Sequence, residues 1–210
     1  MDFGLARATT GDDATMTQYV VTRNYRAPEV MLGLKYKHNV DIWSVGCIFA
    51  LMITKRYLFD GKDEIDMWSS IIETLGSPPE SFYAQLSDGV RYFVESKPRY
   101  PPRRMDQLFP DTVFPTDKDE CHNTANARDL LSKMLVIDAR NRIRGDEALA
   151  HPYIRRWFSW KDETQPNAKY DSTIESRKLN NHEWRKLVFQ ELTAYEAANL
   201  TRPVVTITLD

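Results

Sequence analysis

The stretch VDIWSVGCIFALMI, residues 40–53, decides the fold. It is the longest apolar run of the chain, yet its 14 residues are interrupted by Asp41, Ser44 and Gly46 and fall short of the roughly 20 that cross a bilayer. A helix that is apolar on all sides is typical of the buried centre of a globular protein. We therefore expect a mainly helical, soluble domain built around this helix.

Helical periodicity continues on the C-terminal side of this stretch. Apolar residues at steps of three and four predict a helix that follows the turn at 61–63 and ends at Gly76, because a serine and two prolines come next. The same pattern predicts a helix over about 123–136, and a short helix is expected over 146–150. The last predicted helix is amphipathic and is marked by Trp184, Leu187, Val188, Leu192 and Tyr195.

Residues 77–122 differ from the helical segments around them. They hold most of the chain's 11 prolines, which predicts irregular backbone, but their aromatic side chains need burial. We therefore expect a packed insertion rather than a free linker. The aromatic residues expected to be buried there are Phe82, Tyr83, Tyr92, Phe93, Phe109 and Phe114.

These patterns divide the chain into four segments. We expect a long loop over 1–39, a helical domain over 40–160 that includes the insertion at about 77–122, an extension with the amphipathic helix over 161–200, and a tail over 201–210. Loops as long as the first one are usually functional or disordered.

Composition excludes several classes of protein. The 28 basic and 30 acidic residues give a net charge of -2, so neither nucleic acid nor an anionic membrane is expected as a direct partner. Cys47 and Cys121 form no CxxC pair, and the 4 histidines have no ligand spacing, so a disulfide framework or a zinc knuckle is not indicated. The N-terminus lacks the basic and apolar regions of a signal peptide. We expect a reducing, intracellular location.

Two short motifs bracket the N-terminal loop. Asp2-Phe3-Gly4 and Ala27-Pro28-Glu29 are weak signals individually, but together they enclose a 22-residue segment with phosphorylatable hydroxyl groups. This is the layout of a protein kinase activation segment. The stretch from Asp41 to Cys47 and then Arg142 follow in the order expected of a kinase.

From Asp2 to about Ala198 the chain resembles the C-terminal lobe of a mitogen-activated protein kinase. It is most similar to the stress-activated branch, the c-Jun N-terminal kinases. The resemblance rests on Thr17-Gln18-Tyr19, Tyr25 to Glu29, Val40 to Cys47, and Ala127 to Ala139. It implies the helical lobe of the protein-kinase-like fold, with the N-terminal β lobe and the catalytic loop absent.

The family resemblance implies a proline-directed Ser/Thr protein kinase whose parent enzyme transfers the ATP γ-phosphoryl group. A working kinase needs a Gly-rich loop, a strand lysine, and an aspartate and an asparagine in the catalytic loop, and none precedes Asp2. The catalytic set is therefore incomplete, and we expect this chain alone to be inactive and not to bind ATP. A fragment, a truncated gene model and a short isoform all remain open. The alternative function is a non-catalytic binding module that competes for activators or substrates.

The resemblance assigns chemical roles within the N-terminal loop. Asp2 would chelate the Mg²⁺ that bridges the ATP phosphates. Thr17 and Tyr19 would be the dual phosphorylation site at which an upstream kinase adds about -1.5 to -2 charge per group. Ordinary loop hydroxyls are the alternative interpretation of these two residues.

Phosphates need cationic receivers, and an arginine meets a phosphate through paired hydrogen bonds. By resemblance, Arg7 would receive phospho-Thr17, and Arg23 with Arg26 would receive phospho-Tyr19. Solvated surface charges are the alternative interpretation of each arginine. The groove for the residue that follows the target Ser or Thr would be formed by Val20, Val21 and Thr22.

Three further residues are assigned structural roles by the resemblance. Glu29 and Arg142 look like the buried ion pair that fastens the end of the activation segment to the helical core. Asp41 resembles a carboxylate that accepts hydrogen bonds from the catalytic loop. It is equally well explained as a negative charge stabilised by the helix dipole.

The family binds basic docking peptides through an acidic patch after the His-Pro of its last short helix. Here Arg155 and Arg156 crowd that region and only Asp162 and Glu163 remain acidic, so we expect weak docking or merely a solvated pair.

The chain also departs from the family pattern at Gln18, where this branch has proline, and at Asn24, where the family has an aromatic residue. Expected partners are an upstream dual-specificity kinase, phosphatases, substrates with Ser/Thr-Pro sites and scaffold peptides. The expected location is the cytoplasm and nucleus.

Overall fold

The computed structural model describes residues 23–114, 123–159 and 173–199. All regular structure in these ranges is α-helix or short 3₁₀ turn, with no strand, as a mainly helical class predicts. The chain divides into two compact units, residues 1–165 and 166–210. The helices of the first unit are α1 (Pro28–Met31), α2 (Asn39–Thr54), α3 (Glu64–Leu75), α4 (Glu80–Tyr83), α5 (Asp88–Glu95), α6 (Met105–Leu108), α7 (Thr124–Met134) and α8 (Gly145–Leu149). The second unit contains α9 (Thr173–Ser176) and α10 (Asn181–Asn199).

Helix α2 is the centre of the core, as its apolar sequence predicts. Trp43, Cys47 and Ala50 are at most 2% exposed, and the Trp43 ring stacks on Phe59 with centroids 5.4 Å apart. A Cβ at Gly46 would lie 3.0 Å from the side chain of Met134, so the glycine allows α2 and the end of α7 to approach closely. Within the described ranges, no helix is both long and apolar enough to cross a membrane.

The predicted helices are observed with small differences at their ends. Helix α3 begins after Asp63, whose side chain accepts a hydrogen bond from the Asp66 amide at 2.8 Å, and it ends before Gly76. Helix α7 is capped in the same way by Asn123. It ends two residues earlier than predicted because Leu135 leaves the helical conformation.

Of the long loop predicted over 1–39, the structure describes residues 23–38, and this part contains a one-turn α-helix that no sequence pattern predicts. Helix α1 begins with Pro28, which suits a first helical position because its missing N–H would have no partner there. All four of its residues are buried. A helix of one turn is too short to show a period in the sequence, which explains why the prediction missed it.

Residues 77–114, the described part of the insertion, form short helices and bury several aromatic side chains. Phe82, Tyr83 and Phe109 are at most 2% exposed, and Phe93 and Phe114 are half-buried. The expectation for Tyr92 is wrong, since 80% of this residue is exposed. Helix α5 places Phe93 and Val94 on its buried face, and Tyr92 lies on the opposite side.

Candidate functional site

The best-defined polar site lies where residues 23–26 meet residues 59–64. We call the former the Arg23–Arg26 turn and the latter the 59–64 segment. The turn is a 3₁₀ helix closed by a hydrogen bond from the Arg26 amide to the Arg23 carbonyl at 3.1 Å. The hydroxyl of Ser44 on α2 donates to the Tyr25 carbonyl at 2.8 Å and links the turn to the core helix.

Asn24 and Arg23 connect the turn to the 59–64 segment through its backbone. The side-chain amide of Asn24 donates to the Phe59 carbonyl at 3.1 Å, and the Arg23 guanidinium donates to the carbonyls of Gly61 and Lys62. Carbonyl acceptors do not depend on side-chain rotamers, so these contacts hold the turn at a defined position. Arg23, expected to receive a phosphate, is occupied by carbonyl groups in this structure.

Arg26 contacts the last residue of the 59–64 segment. Its Nη1 lies 2.9 Å from Oε1 of Glu64, the first residue of α3. The arginine side chain is 7% exposed and that of Glu64 is 40% exposed. The second arginine expected to receive a phosphate therefore meets a carboxylate of the protein itself.

Glu29 and Arg142 form a buried ion pair that joins α1 to the residues after α7. Nη1 and Nη2 of Arg142 donate to the two carboxylate oxygens at 2.6 and 2.9 Å, and the side chains are 3% and 0% exposed. The guanidinium also donates to the Asn39 and Val136 carbonyls and lies 5.1 Å from the ring centroid of Trp43. A buried pair keeps its charges only when the remaining donors find acceptors, and this one does.

The thiol of Cys47 interacts electrostatically with Arg142 of this pair. Burial raises the pKa of Cys47 to about 12, although the positive charge of Arg142 acts in the opposite direction. Since the thiolate is the nucleophile, a cysteine protonated at neutral pH is inert. Cys47 is a packing residue of α2.

Asp41 lies in the first turn of α2 and is exposed. Along the same face of the helix, at steps of four, three and four, follow Val45, Ile48 and Met52, which are 47%, 43% and 65% exposed. This carboxylate is placed where the positive end of a helix dipole favours negative charge.

The other residues assigned by resemblance lie outside the described ranges. They are Asp2, Arg7, Thr17, Tyr19, Val20, Val21, Thr22, Asp162 and Glu163. Among the residues that the structure does describe, no group of three or more His, Cys, Asp or Glu side chains could hold a metal ion. Asp2, the expected magnesium ligand, is not among them.

Two polar clusters in the structure were not predicted from the sequence. The contact of Glu64 with Arg26 spans 38 residues, and no periodicity or motif signals it. His151 is 5% exposed and lies 2.8 Å from the Asp129 carboxylate, which also binds Lys133 at 2.6 Å. Hydrogen bonds from Lys133 and His151 lower the pKa of Asp129. The only available signal for this second cluster was the spacing of Asp129 and Lys133 on one helix.

Comparison with known proteins gives consistent matches over most of the chain. The family model described as protein kinase domain matches residues 1–154. A stress-activated protein kinase JNK of Drosophila melanogaster is 49% identical over 202 residues, and a protein of the same name from Suberites domuncula is 48% identical over 199. These alignments cover 95% and 94% of this chain, which spans 54% and 55% of the two relatives, or about half their length.

Proposed function

Because the chain belongs to the stress-activated, c-Jun N-terminal kinase type of mitogen-activated protein kinases, we propose that it forms the C-terminal lobe and activation segment of a proline-directed Ser/Thr kinase. The observation that carries this proposal is the buried pair of Glu29 and Arg142. It joins the Ala27-Pro28-Glu29 motif to the helical core, as an activation segment needs if its far end is to be fixed.

In the whole enzyme, ATP with Mg²⁺ would supply the phosphoryl group and neutralise its charge. This chain would contribute residues that position the metal ion and the substrate peptide. Asp2 would hold the metal ion, and Val20, Val21 and Thr22 would orient the residue after the target Ser or Thr. The Arg23–Arg26 turn follows these residues in the sequence and would support the groove, because Ser44 links the turn to α2 and Asn24 links it to the 59–64 segment.

Regulation by dual phosphorylation is the second part of the proposal. An upstream dual-specificity kinase would modify Thr17 and Tyr19, and phosphatases would reverse the reaction. Arg7, Arg23 and Arg26 are the proposed cationic partners of the new phosphates. Docking through Asp162 and Glu163 would be weak because the exposed Arg155 and Arg156 precede them.

We would test the modification directly with the purified chain. Incubation with a kinase that activates c-Jun N-terminal kinases, followed by phosphopeptide mass spectrometry, is expected to show phosphate on Thr17 and Tyr19. The double substitution T17A/Y19F should abolish incorporation, whereas T15A, which changes a hydroxyl of the same segment, should leave it unchanged. Phosphate distributed equally over all the threonines would contradict the proposal.

The size of the protein in cells tests the enzyme proposal against a binding module. An antibody against residues 181–199 would capture the endogenous protein for intact mass measurement. A species much heavier than 24.5 kDa is expected if the chain acts as part of a kinase. A stable 24.5 kDa species alone would support a module that binds activators or substrates without catalysis.

A further inference from the structure

We propose that Glu64 is a built-in partner of Arg26 that holds the Arg23–Arg26 turn in place without a phosphate. This inference rests on the proposed function, in which Arg26 would receive phospho-Tyr19. It goes further by assigning to Glu64 the role of a competitor for that arginine. A new phosphate would then have to share or displace a carboxylate that is already bound.

The position of Glu64 is fixed by the start of α3. The Asp63 side chain caps the helix by accepting from the Asp66 amide at 2.8 Å, and Glu64 is its first residue. The N-terminus of a helix favours a negative charge, so the ionised carboxylate suits this place. Across from it, the nearly buried Arg26 side chain brings Nη1 to 2.9 Å from Oε1.

The burial of Arg26 makes this contact different from an ordinary surface ion pair. Exposed pairs contribute little because water solvates both partners well when they separate. Arg26 is 7% exposed, so its guanidinium has lost most of its water and needs protein partners. The carboxylate of Glu64 is one such partner, and it is present in the unmodified chain.

Charges close to Glu64 in the sequence add to the competition. The stretch from residue 60 to 66 carries Asp60, Asp63, Glu64 and Asp66 against the single cation Lys62. Asp60 already lies at the turn, with its Oδ1 3.5 Å from the side-chain amide nitrogen of Asn24. A phosphate of about -1.5 to -2 charge would approach Arg26 against this negative potential. Phosphorylation would therefore order the turn less than it would with a neutral residue in place of Glu64.

Limited trypsin digestion of the full chain measures the release of Arg26 directly, because the protease must take that side chain into its own pocket. We expect E64Q to raise the cleavage rate after Arg26 about tenfold. The matched control is E80Q, which removes an exposed carboxylate paired with Arg99 at 3.2 Å on other elements and should leave this rate unchanged. Equal rates in E64Q and the wild type would overturn the proposal.

A second measurement separates the role of Glu64 from a general effect on folding. Phosphotyrosine encoded at position 19 should leave the rate of cleavage after Arg26 unchanged in the wild type. In E64Q the same phosphotyrosine should lower this rate toward the wild-type value. An equal decrease in both proteins would overturn the competition. If E64Q raises cleavage but phosphate never lowers it, Glu64 still holds Arg26, and the proposed receiver role of Arg26 fails instead.

A conservative substitution covers the case in which E64Q does not fold. E64D keeps the charge but shortens the side chain by one methylene, so the 2.9 Å contact should lengthen and cleavage after Arg26 should rise a few-fold. The thermal midpoint of E64D should match that of E80Q. Wild-type cleavage in a folded E64D would overturn the proposal.

Discussion

Arg142 shows how a single residue can hold a structural motif in place. A guanidinium has five N–H donors, and the structure gives it the two carboxylate oxygens of Glu29 and the carbonyls of Val136, Ile137 and Asn39. All of these acceptors lie on segments that must come together around α2. The pair therefore links α1, the start of α2 and the residues after α7.

The first prediction concerns the loss of one member of this pair. E29Q keeps the shape of the side chain but leaves the charge of Arg142 buried and without a counter-ion. We expect the free energy of unfolding to fall by about 3 to 5 kcal/mol, measured by urea denaturation. E80Q, which breaks the exposed pair with Arg99, should change it by less than about 1 kcal/mol. A loss below about 1 kcal/mol in E29Q would mean that the three carbonyls suffice.

At the scale of elements, the end of α3 depends on one glycine. Gly76 has a φ of 93°, which residues with a side chain rarely adopt, and a Cβ there would lie 2.5 Å from Cα of Pro102. Because that neighbour is backbone of a proline, it has little freedom to move. The glycine lets the chain leave α3 beside the insertion.

We therefore expect opposite effects from alanine at two glycines. G76A should lower the free energy of unfolding by about 1 to 3 kcal/mol because of strain in the backbone and the collision with Pro102. Gly89 lies in α5, and a Cβ there would meet nothing within 4 Å. G89A should raise stability by about 0.5 to 1 kcal/mol, since alanine favours the helix. Thermal denaturation of the two variants measures both effects, and a stabilising effect of G76A would contradict this explanation.

In the first compact unit, helix α2 has more apolar surface than the described residues bury. One side of this helix packs into the core, while the face with Val45, Ile48 and Met52 is exposed. Exposed apolar patches of this kind bind hydrophobic dyes and promote self-association. The chain spans about half the length of its stress-activated relatives.

The third prediction tests this face. I48Q/M52Q should lower the fluorescence of the dye ANS at least two-fold and reduce self-association in analytical ultracentrifugation. The free energy of unfolding should change by less than about 1 kcal/mol, because both side chains are substantially exposed. Y92Q is the matched control, since Tyr92 is an exposed aromatic residue of α5 away from this face. Equal dye binding in I48Q/M52Q and the wild type would contradict the prediction.

Local patterns in the sequence determined the helical class and the positions of α2, α3, α7 and α10. The order of its motifs indicated the kinase family. Such patterns succeed because the period of a helix and the chemistry of a cap act over a few residues. They failed for Tyr92, where the direction of one short helix decides burial.

Only the tertiary structure decided which charged groups meet. The contact between Arg26 and Glu64 spans 38 residues, and that between Arg142 and Glu29 spans 113. The family resemblance led us to expect the second pair, but nothing in the sequence pointed to the first. Partners so far apart come together when apolar faces pack and remove water from the groups between them, and that burial gives each carboxylate its influence on an arginine.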